Sequence, residues 1–132
     1  MDTKARGQSE NIESHSEVPA AQPAAPVEGF FTYDLRVGTV VEAFVNERAR
    51  VPALVLVIDF GPLGRLTTSA QLTRRYEPGP LVGRQVAAVV NFPPKHIAGV
   101  RSAVLVLGAV PGPGDVVLLA PDESVPNGTR IG

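Results

Sequence analysis

The sequence predicts an all-β domain, a small closed β-barrel with short flanking helices. Five or six short segments are apolar or alternate between apolar and polar residues, which is typical of strands. Glycine and proline, 13 of each among 132 residues, separate these segments at regular intervals. The pattern leaves room for only one or two short helices. Strand spacing suits a barrel or a β-sandwich and does not by itself separate the two.

The chain divides into a predicted disordered tail, residues 1–27, and a folded domain, residues 28–132. The tail is rich in Ser, Glu, Ala, Gln and Pro and has no sustained apolar period. Its His15 has no cluster of other ligand residues, so we interpret it as solvated. Residues 1–28 carry a net charge of −3, and the rest of the chain carries 10 basic and 8 acidic side chains. With a net charge of only +2, the rest of the chain is expected to bind polyanions only if its basic side chains cluster on one surface.

Three strands are predicted in the first half of the body. The first, within TYDLRVGTVVEAFV, is long, and Gly38 inside it indicates a bulge or bend. The second, ALVLVIDF, is too uniformly apolar to have a solvent face. After the tight turn GPLG, the third strand follows in RLTTSAQL. A short helix could occupy SAQLTRRY, with Ser69 as its N-cap.

The second half predicts three more strands. They are RQVAAVVNF, AVLVLGAV and, after the turn PGPGD, DVVLLAP. The chain then ends in a polar segment with another turn at Asn127-Gly128.

Between the fourth and fifth predicted strands lies VNFPPKHIAGVRS, residues 90–102. Two prolines stop strand pairing and stiffen the exit, and Gly99 permits the positive φ that a return requires. These are structural roles. They also hold Lys95, His96 and Arg101 at low entropic cost, as a preorganised binding loop needs.

Signatures of catalysis are nearly absent from the sequence. It has no GxSxG, phosphate-loop or HExxH motif and no cysteine, and His96 is the only histidine of the body. Asp34, Asp59 and Asp115 stand at strand ends, where aspartate more often caps turns. We therefore expect no catalytic residues, metal or cofactor. No apolar run approaches the roughly 20 residues of a membrane span, and the N-terminus lacks a secretory apolar centre, so a cytoplasmic location is expected.

Basic side chains fall mostly in predicted loops or at strand ends. A barrel can bring such loops to one rim, although a solvated surface with scattered salt bridges is the simpler interpretation. Seven aromatic residues occur in the body, and several should be core, which disfavours a stacking platform for single strands. Backbone and shape recognition of folded RNA fits better. The basic residues concerned are Arg48, Arg50, Arg65, Arg74, Arg75, Arg84, Lys95 and Arg101.

Several segments together resemble one family. DLRVGTVVEA, RVPALVLVIDFG, TTSAQLTRRY, VVNFPPKHIAGVRSAVLVLGA and PNGTRIG are similar to the CsaA type of the tRNA-binding-domain family. The same family supplies the C-terminal domain of bacterial methionyl-tRNA synthetases. The resemblance covers roughly residues 31–132, and NFPP-K-H-I-A-G-x-R-S is its most specific part.

The resemblance implies an OB-fold barrel, a homodimer and two alternative functions. One is a non-catalytic dimeric tRNA-binding protein that contacts structured RNA through a basic rim. The other is a CsaA-like, export-related chaperone that binds unfolded or precursor polypeptides. In relatives, the segment before the first strand and the C-terminal region contribute to the dimer, here about residues 29–34 and 110–132. No membrane partner is expected.

The family motifs imply particular tRNA-facing residues. Within the central motif the family often has a second base where this chain has His96, so the local positive charge here depends on pH. Two arginines of SAQLTRRY join the set on charge alone. The implied residues are Asn91, Lys95, His96, Arg101 and Ser102 of the central motif, Ser69 and Gln71 of SAQ, and Arg74 and Arg75.

Overall fold

The computed structural model describes residues 18–132. Most of the predicted tail, including His15, lies outside the described residues. Residues 18–26 are exposed and contain no helix or strand. A 3₁₀ helix, Val27–Thr32, precedes the first strand.

Ten strands, most of them short, make up the folded part. A second 3₁₀ helix, Gly61–Leu63, and a single-turn α-helix, α1 Pro78–Leu81, are the other helical elements among the described residues. The strands are β1 Leu35–Val45, β2 Leu54–Asp59, β3 Arg65–Ala70, β4 Gln85–Val89, β5 Lys95–Ile97, β6 Val100–Ser102, β7 Leu105–Val106, β8 Gly108–Gly112, β9 Asp115–Leu118 and β10 Arg130–Ile131.

Five strands form a nearly closed antiparallel barrel in the order β3-β2-β1-β4-β7, and β10 pairs with the start of β1. The two ends of this sheet meet where the Ala103 amide donates to the Thr67 carbonyl at 2.8 Å. The hydroxyls of Thr68 and Ser102 are also within hydrogen-bonding distance, 3.0 Å. The predicted β-barrel is therefore confirmed, and the β-sandwich is excluded.

The core of the barrel is aliphatic. β2 lies between β3 and β1, and on its core face Leu54, Leu56 and Ile58 are at most 1% exposed. Its outer face is covered only in part, because Val55 is buried and Val57 is half-buried. Of the seven aromatic residues, only Phe60 is fully buried, and Tyr76 packs against the core. Fewer aromatics are therefore buried than the several expected, and the remaining five are all at least 40% exposed: Phe30, Phe31, Tyr33, Phe44 and Phe92.

Gly38 has a different role from the one predicted. The register of β1 against β2 shifts between Val40 and Glu42, so the bulge lies beyond the glycine. A Cβ atom on Gly38 would lie 2.7 Å from side-chain atoms of both Ile58 and Phe60. Glycine is required here because β1 and the core approach too closely for any side chain.

The predicted helix in SAQLTRRY is also wrong. Thr73–Arg75 form a turn, in which the Tyr76 amide donates to the Leu72 carbonyl at 3.0 Å. Ser69 lies in β3 and caps no helix. The single helical turn, α1, comes later, begins with Pro78 and buries Leu81. A proline at the first turn is favourable there because its missing N–H has no helical partner to lose.

The fifth predicted strand is two strands, because β7 pairs with β4 and β8 turns away to form a hairpin with β9. The predicted turns at PGPGD and Asn127-Gly128 are confirmed. Gly128 has a φ of 92° and donates its amide to the Val37 carbonyl at 2.7 Å. The C-terminal segment is thereby fixed against β1.

Candidate binding surfaces around the β5–β6 hairpin

The central motif is itself a β-hairpin. β5 and β6 pair with Ile97 opposite Val100, and only Ala98 and Gly99 lie between them. Both have positive φ, 48° and 82°, as the two central residues of a type I′ turn require. The predicted conformation of Gly99 is confirmed, but the predicted plain connection is a paired, twisted ribbon.

Strand alternation divides the cations of this hairpin between its two faces. Lys95 is opposite Ser102, and His96 is opposite Arg101. Because directly opposite residues share a face and neighbours alternate, Lys95 lies on one face and Arg101 on the other. The motif therefore presents its strongest cations in two directions.

The hairpin is anchored to the barrel through Ser102. Its Oγ lies 3.0 Å from the Thr68 hydroxyl and 3.4 Å from the Ser69 amide. Asn46, only 6% exposed, donates from Nδ2 to the Ser69 Oγ at 3.1 Å. Ser69 and Ser102 are thus brought together as expected, but their polar atoms hold the hairpin in place.

On the Lys95 side, the hairpin borders a cleft of about 450 Å³, which we call the apolar cleft. Leu105 and Ile97, 50% and 42% exposed, present large aliphatic surface there. Phe92 packs edge-on against Tyr33 with ring centroids 5.8 Å apart. The cleft is lined by Phe92, Pro93, Lys95, Ile97, Ser102, Ala103, Val104 and Leu105.

On the Arg101 side, the hairpin and the outer surface of β1, β2 and β3 enclose a groove of about 500 Å³, which we call the aromatic groove. Phe44 is 49% exposed in it. Its charged lining residues are Arg65, Arg101 and Glu42, and the remaining lining residues are Val55, Val57, Leu66, Thr67, Gly99, Val100 and Ala103.

Gln71 lies in a smaller cavity of about 230 Å³ at the hairpin tip. Ser69, Ile97 and Ala98 also line this cavity, together with the Arg50 side of the β1–β2 loop. The structure therefore gathers six of the implied residues around one hairpin: Ser69, Gln71, Lys95, His96, Arg101 and Ser102.

Arg74 and Arg75 are directed elsewhere. Arg75 makes a bidentate ion pair with the carboxylate of Asp115, and Arg74 Nη1 donates to the Pro113 carbonyl at 3.2 Å. The hydrogen bond from Arg75 lowers the pKa of Asp115 despite the partial burial of the carboxylate, and the charges of both arginines add to this effect. Both side chains contact the β8–β9 hairpin, and the positive charge of Arg75 is balanced by the carboxylate of Asp115.

Asn91 fixes the segment before β1. Its Oδ1 accepts the Asp34 amide at 2.9 Å, and its Nδ2 donates to the Thr32 carbonyl at 3.0 Å. Asp34 in turn pairs with Arg36 through both carboxylate oxygens. Asn91 therefore has a structural role as part of the family motif, and its amide is occupied on both sides.

His96 is exposed, and within residues 18–132 no side-chain hydrogen bond or ion pair engages it. The three aspartates predicted at strand ends have other partners: Asp34 and Asp115 pair with arginines, and Asp59 accepts the Gly61 amide at 2.8 Å, which confirms its turn-capping role. In the same part of the chain, no group of three or more His, Asp or Glu side chains is arranged to hold a metal ion.

Sequence reasoning missed Phe44 and Arg65 as site residues. Arg65 was noted only as one of eight basic residues, and Phe44 only as one of seven aromatics. Both line the groove because β2 pairs with β1 and with β3. Glu42 and Thr67 are both opposite Val57, and Phe44 and Arg65 lie to either side of that row. No helix of the described residues is long and apolar enough to span a membrane.

Comparison with known proteins identifies the family of the chain. Residues 35–130 match the family model described as "Putative tRNA binding domain". The chain belongs to this tRNA-binding domain family. Among curated relatives, methionine–tRNA ligase of Methanothrix thermoacetophila is 41% identical over 110 residues, and that of Thermococcus kodakarensis is 38% identical over 103. These matches cover 83% and 77% of this chain but only 16% and 13% of the ligases.

Two of the solved structures that match this chain are CsaA chaperones. The crystal structure of chaperone CsaA from Bacillus anthracis has 57% sequence identity and a TM-score of 0.80, covering 83% of this chain and 100% of that one. The CsaA chaperone of Picrophilus torridus has 39% identity and a TM-score of 0.75 over the same shares. The chain is thus similar over its folded part to whole CsaA chaperones, and to one appended domain of the ligases.

Proposed function

We propose that this protein is a CsaA-type chaperone with an OB-fold barrel that binds unfolded or precursor polypeptides in the apolar cleft. The observation that carries the proposal is the cleft itself, where Leu105 and Ile97 expose aliphatic surface beside a lysine. Exposed apolar surface of this kind is a mark of a protein-interaction site. The match to complete CsaA chaperones supports the same function. A cytoplasmic location and the absence of catalysis belong to this proposal.

The test compares two leucines of similar exposure. Leu105→Gln removes aliphatic surface from the cleft, and Leu63→Gln, at a residue 42% exposed outside it, is the matched control. We expect Leu105→Gln to weaken binding of a permanently unfolded, fluorescein-labelled polypeptide about fivefold or more, since a buried leucine contributes on the order of 1.5–3 kcal/mol. Equal affinities of the two variants in anisotropy titrations would refute the cleft as the site.

We propose tRNA binding as a second function of the same chain, favoured by membership of the tRNA-binding domain family and by the exposed cations of the hairpin. Lys95 and Arg101 would contact phosphates, and Gln71 and His96 would flank them. Ser69, Ser102 and Asn91 support the hairpin and its surroundings. Among the implied residues, the assignment to tRNA binding is weakest for Arg74 and Arg75, because both already have hydrogen-bond partners within the protein.

Gel-shift titrations with total tRNA at two salt concentrations test this second function. Phosphate contacts release counterions, so affinity should fall steeply between about 50 mM and 200 mM salt. Lys95→Ala and Arg101→Ala should each weaken binding at the lower salt concentration while leaving the urea unfolding curve unchanged. No binding at about 50 mM salt, or an affinity independent of salt, would contradict tRNA binding.

The protein is further proposed to be a homodimer. The two segments that the family resemblance implies for dimerisation carry exposed apolar side chains, Phe30 and Phe31 in the first and Val110 and Leu119 in the second. Phe30 and Phe31 stack edge-to-face with centroids 5.4 Å apart, so the first segment presents a preformed aromatic surface. A two-fold dimer would bury such a self-complementary patch and would add the cations of two hairpins.

A further inference from the structure

The aromatic groove combines an exposed phenyl ring with cations from three separate parts of the chain. Phe44 projects from β1 and is 49% exposed, which is unusual for a side chain opposite a buried residue, Val55. Arg65 lines the groove from the start of β3, and Arg101 lines it from the hairpin. Strand pairing, not sequence proximity, brings these three together.

A third guanidinium lies at the hairpin end of the groove. Gly99 lines the groove, and a Cβ built on it would come within 2.6 Å of the Arg48 Nη1 atom. The Arg48 side chain therefore lies directly against the hairpin tip. The groove therefore has two arginines and one carboxylate, that of Glu42, in its lining and a third arginine at its end, and within residues 18–132 neither Arg65 nor Arg101 forms an ion pair.

We infer that the aromatic groove binds an unpaired nucleotide of RNA, whose base stacks on Phe44 and whose adjoining phosphates contact Arg65 and Arg101. In a single strand a phosphate adjoins each base on both sides, and the groove that contains the ring offers one arginine from β3 and one from the hairpin. Glu42 can accept a hydrogen bond from a base amino group or a ribose hydroxyl. A stacking aromatic within a positively charged groove is the physical basis of single-strand binding.

The volume and charge of the groove favour this occupant over a folded duplex. A cleft of about 500 Å³ falls in the range of small-ligand pockets, on the order of 300–1,000 Å³, and accommodates one base, not a helix. The groove also has an aliphatic lining, from Val55, Val57 and Leu66 among others. Its exposed ring and its two arginines, which form no ion pair within residues 18–132, favour a nucleotide over an uncharged polypeptide. The inference rests on RNA being a ligand of this chain, and it goes beyond the hairpin phosphate contacts by assigning a base-binding site.

The decisive variant is Phe44→Leu, which keeps the apolar surface and removes the aromatic face. We expect it to weaken binding of a single-stranded RNA hexanucleotide about fivefold or more, because stacking on an aromatic contributes on the order of 1–3 kcal/mol per base. Phe92→Leu, at an aromatic 40% exposed in the apolar cleft, is the matched control and should bind as wild type does. Phe44→Trp should retain affinity.

NMR of the wild-type protein gives a readout that does not depend on the folding of any variant. Upfield ring-current shifts of the base protons, with intermolecular cross-peaks to the Phe44 ring, are expected on binding. Equal affinities of Phe44→Leu and Phe92→Leu, or base protons without these shifts, would overturn the inference. So would an oligoglutamate peptide that displaces the RNA at equal concentration, since the groove would then select charge alone.

The hexanucleotide separates this inference from the proposed tRNA binding. Loss of tRNA binding with retained, Phe44-dependent hexanucleotide binding would overturn only the tRNA function. Binding of tRNA through Lys95 with no effect of Phe44→Leu on either ligand would overturn only the groove.

Discussion

At the scale of single residues, the charges of this protein fall into two groups. Arg36 and Arg75 are held by aspartates and serve the fold, and the hydrogen bond in each pair raises the pKa of the arginine. Arg48, Arg65, Lys95 and Arg101 lie around the β5–β6 hairpin, and no carboxylate ion pair holds any of them within residues 18–132. Sequence alone could not make this division, because Asp115 lies 40 residues from Arg75.

The Arg75–Asp115 pair predicts a stability that depends on acid pH. Asp115 has a lower pKa in the folded protein than its ordinary 3.8, so its contribution is full above about pH 4 and is lost as the pH falls through the folded-state value. Asp115→Asn should therefore be less stable than wild type at neutral pH, with a difference that shrinks below about pH 4. Urea unfolding midpoints across this range measure the difference, and a difference equally large at both ends would contradict the assignment.

At the scale of elements, the β5–β6 hairpin determines where the candidate surfaces lie. The two prolines, the two-residue turn and the Ser102 anchor fix its orientation, and alternation then directs Lys95 and Arg101 to opposite sides. The sequence predicted the stiffness and the positive φ of Gly99. It did not predict the hairpin, because a three-residue strand beside two prolines carries little period-two signal.

The turn of this hairpin gives a prediction of opposite effects at adjacent residues. Ala98 has a φ of 48°, which is unfavourable for alanine, so Ala98→Asn should raise the free energy of unfolding by about 0.5–1 kcal/mol. Gly99→Ala should lower it by about 1 kcal/mol or more, since φ is 82° and the Arg48 guanidinium occupies the space.

Gly79→Ala is the control for these two variants. Gly79 has open space around its Cα and no positive φ, so alanine there should not destabilise the protein. Urea unfolding at neutral pH provides the comparison. A Gly99→Ala variant as stable as Gly79→Ala would show that the turn is not under the backbone constraint described.

At the scale of the whole molecule, the barrel was predictable and the surface distribution was not. Gly/Pro spacing and apolar runs were sufficient for the longer strands, and β2, which lies between β3 and β1, is apolar except for its last residue. The exposure of Phe44 could not be predicted, because an aromatic in a strand looks the same whether it faces the core or a ligand. The register of β1, β2 and β3 decides that, and it depends on a bulge that no local pattern marks.

The exposed aromatics of the first 3₁₀ helix predict the assembly state. Phe31→Asp should convert the proposed dimer to a monomer, because a carboxylate would be buried at the apolar interface. Light scattering during gel filtration should give twice the 13.9 kDa chain mass for wild type and the single mass for the variant. Leu63→Asp, at a comparably exposed leucine outside both segments, should remain dimeric.

The central claim is that the hairpin separates two binding surfaces, the apolar cleft on the Lys95 side and the aromatic groove on the Arg101 side. The most direct test is the affinity of the full chain for a labelled unfolded polypeptide, measured by anisotropy with and without a saturating RNA hexanucleotide. Separate surfaces predict the same polypeptide affinity, within about twofold, in both titrations. Competitive displacement of the polypeptide by the hexanucleotide would show that the two ligands share one surface, and would contradict the account.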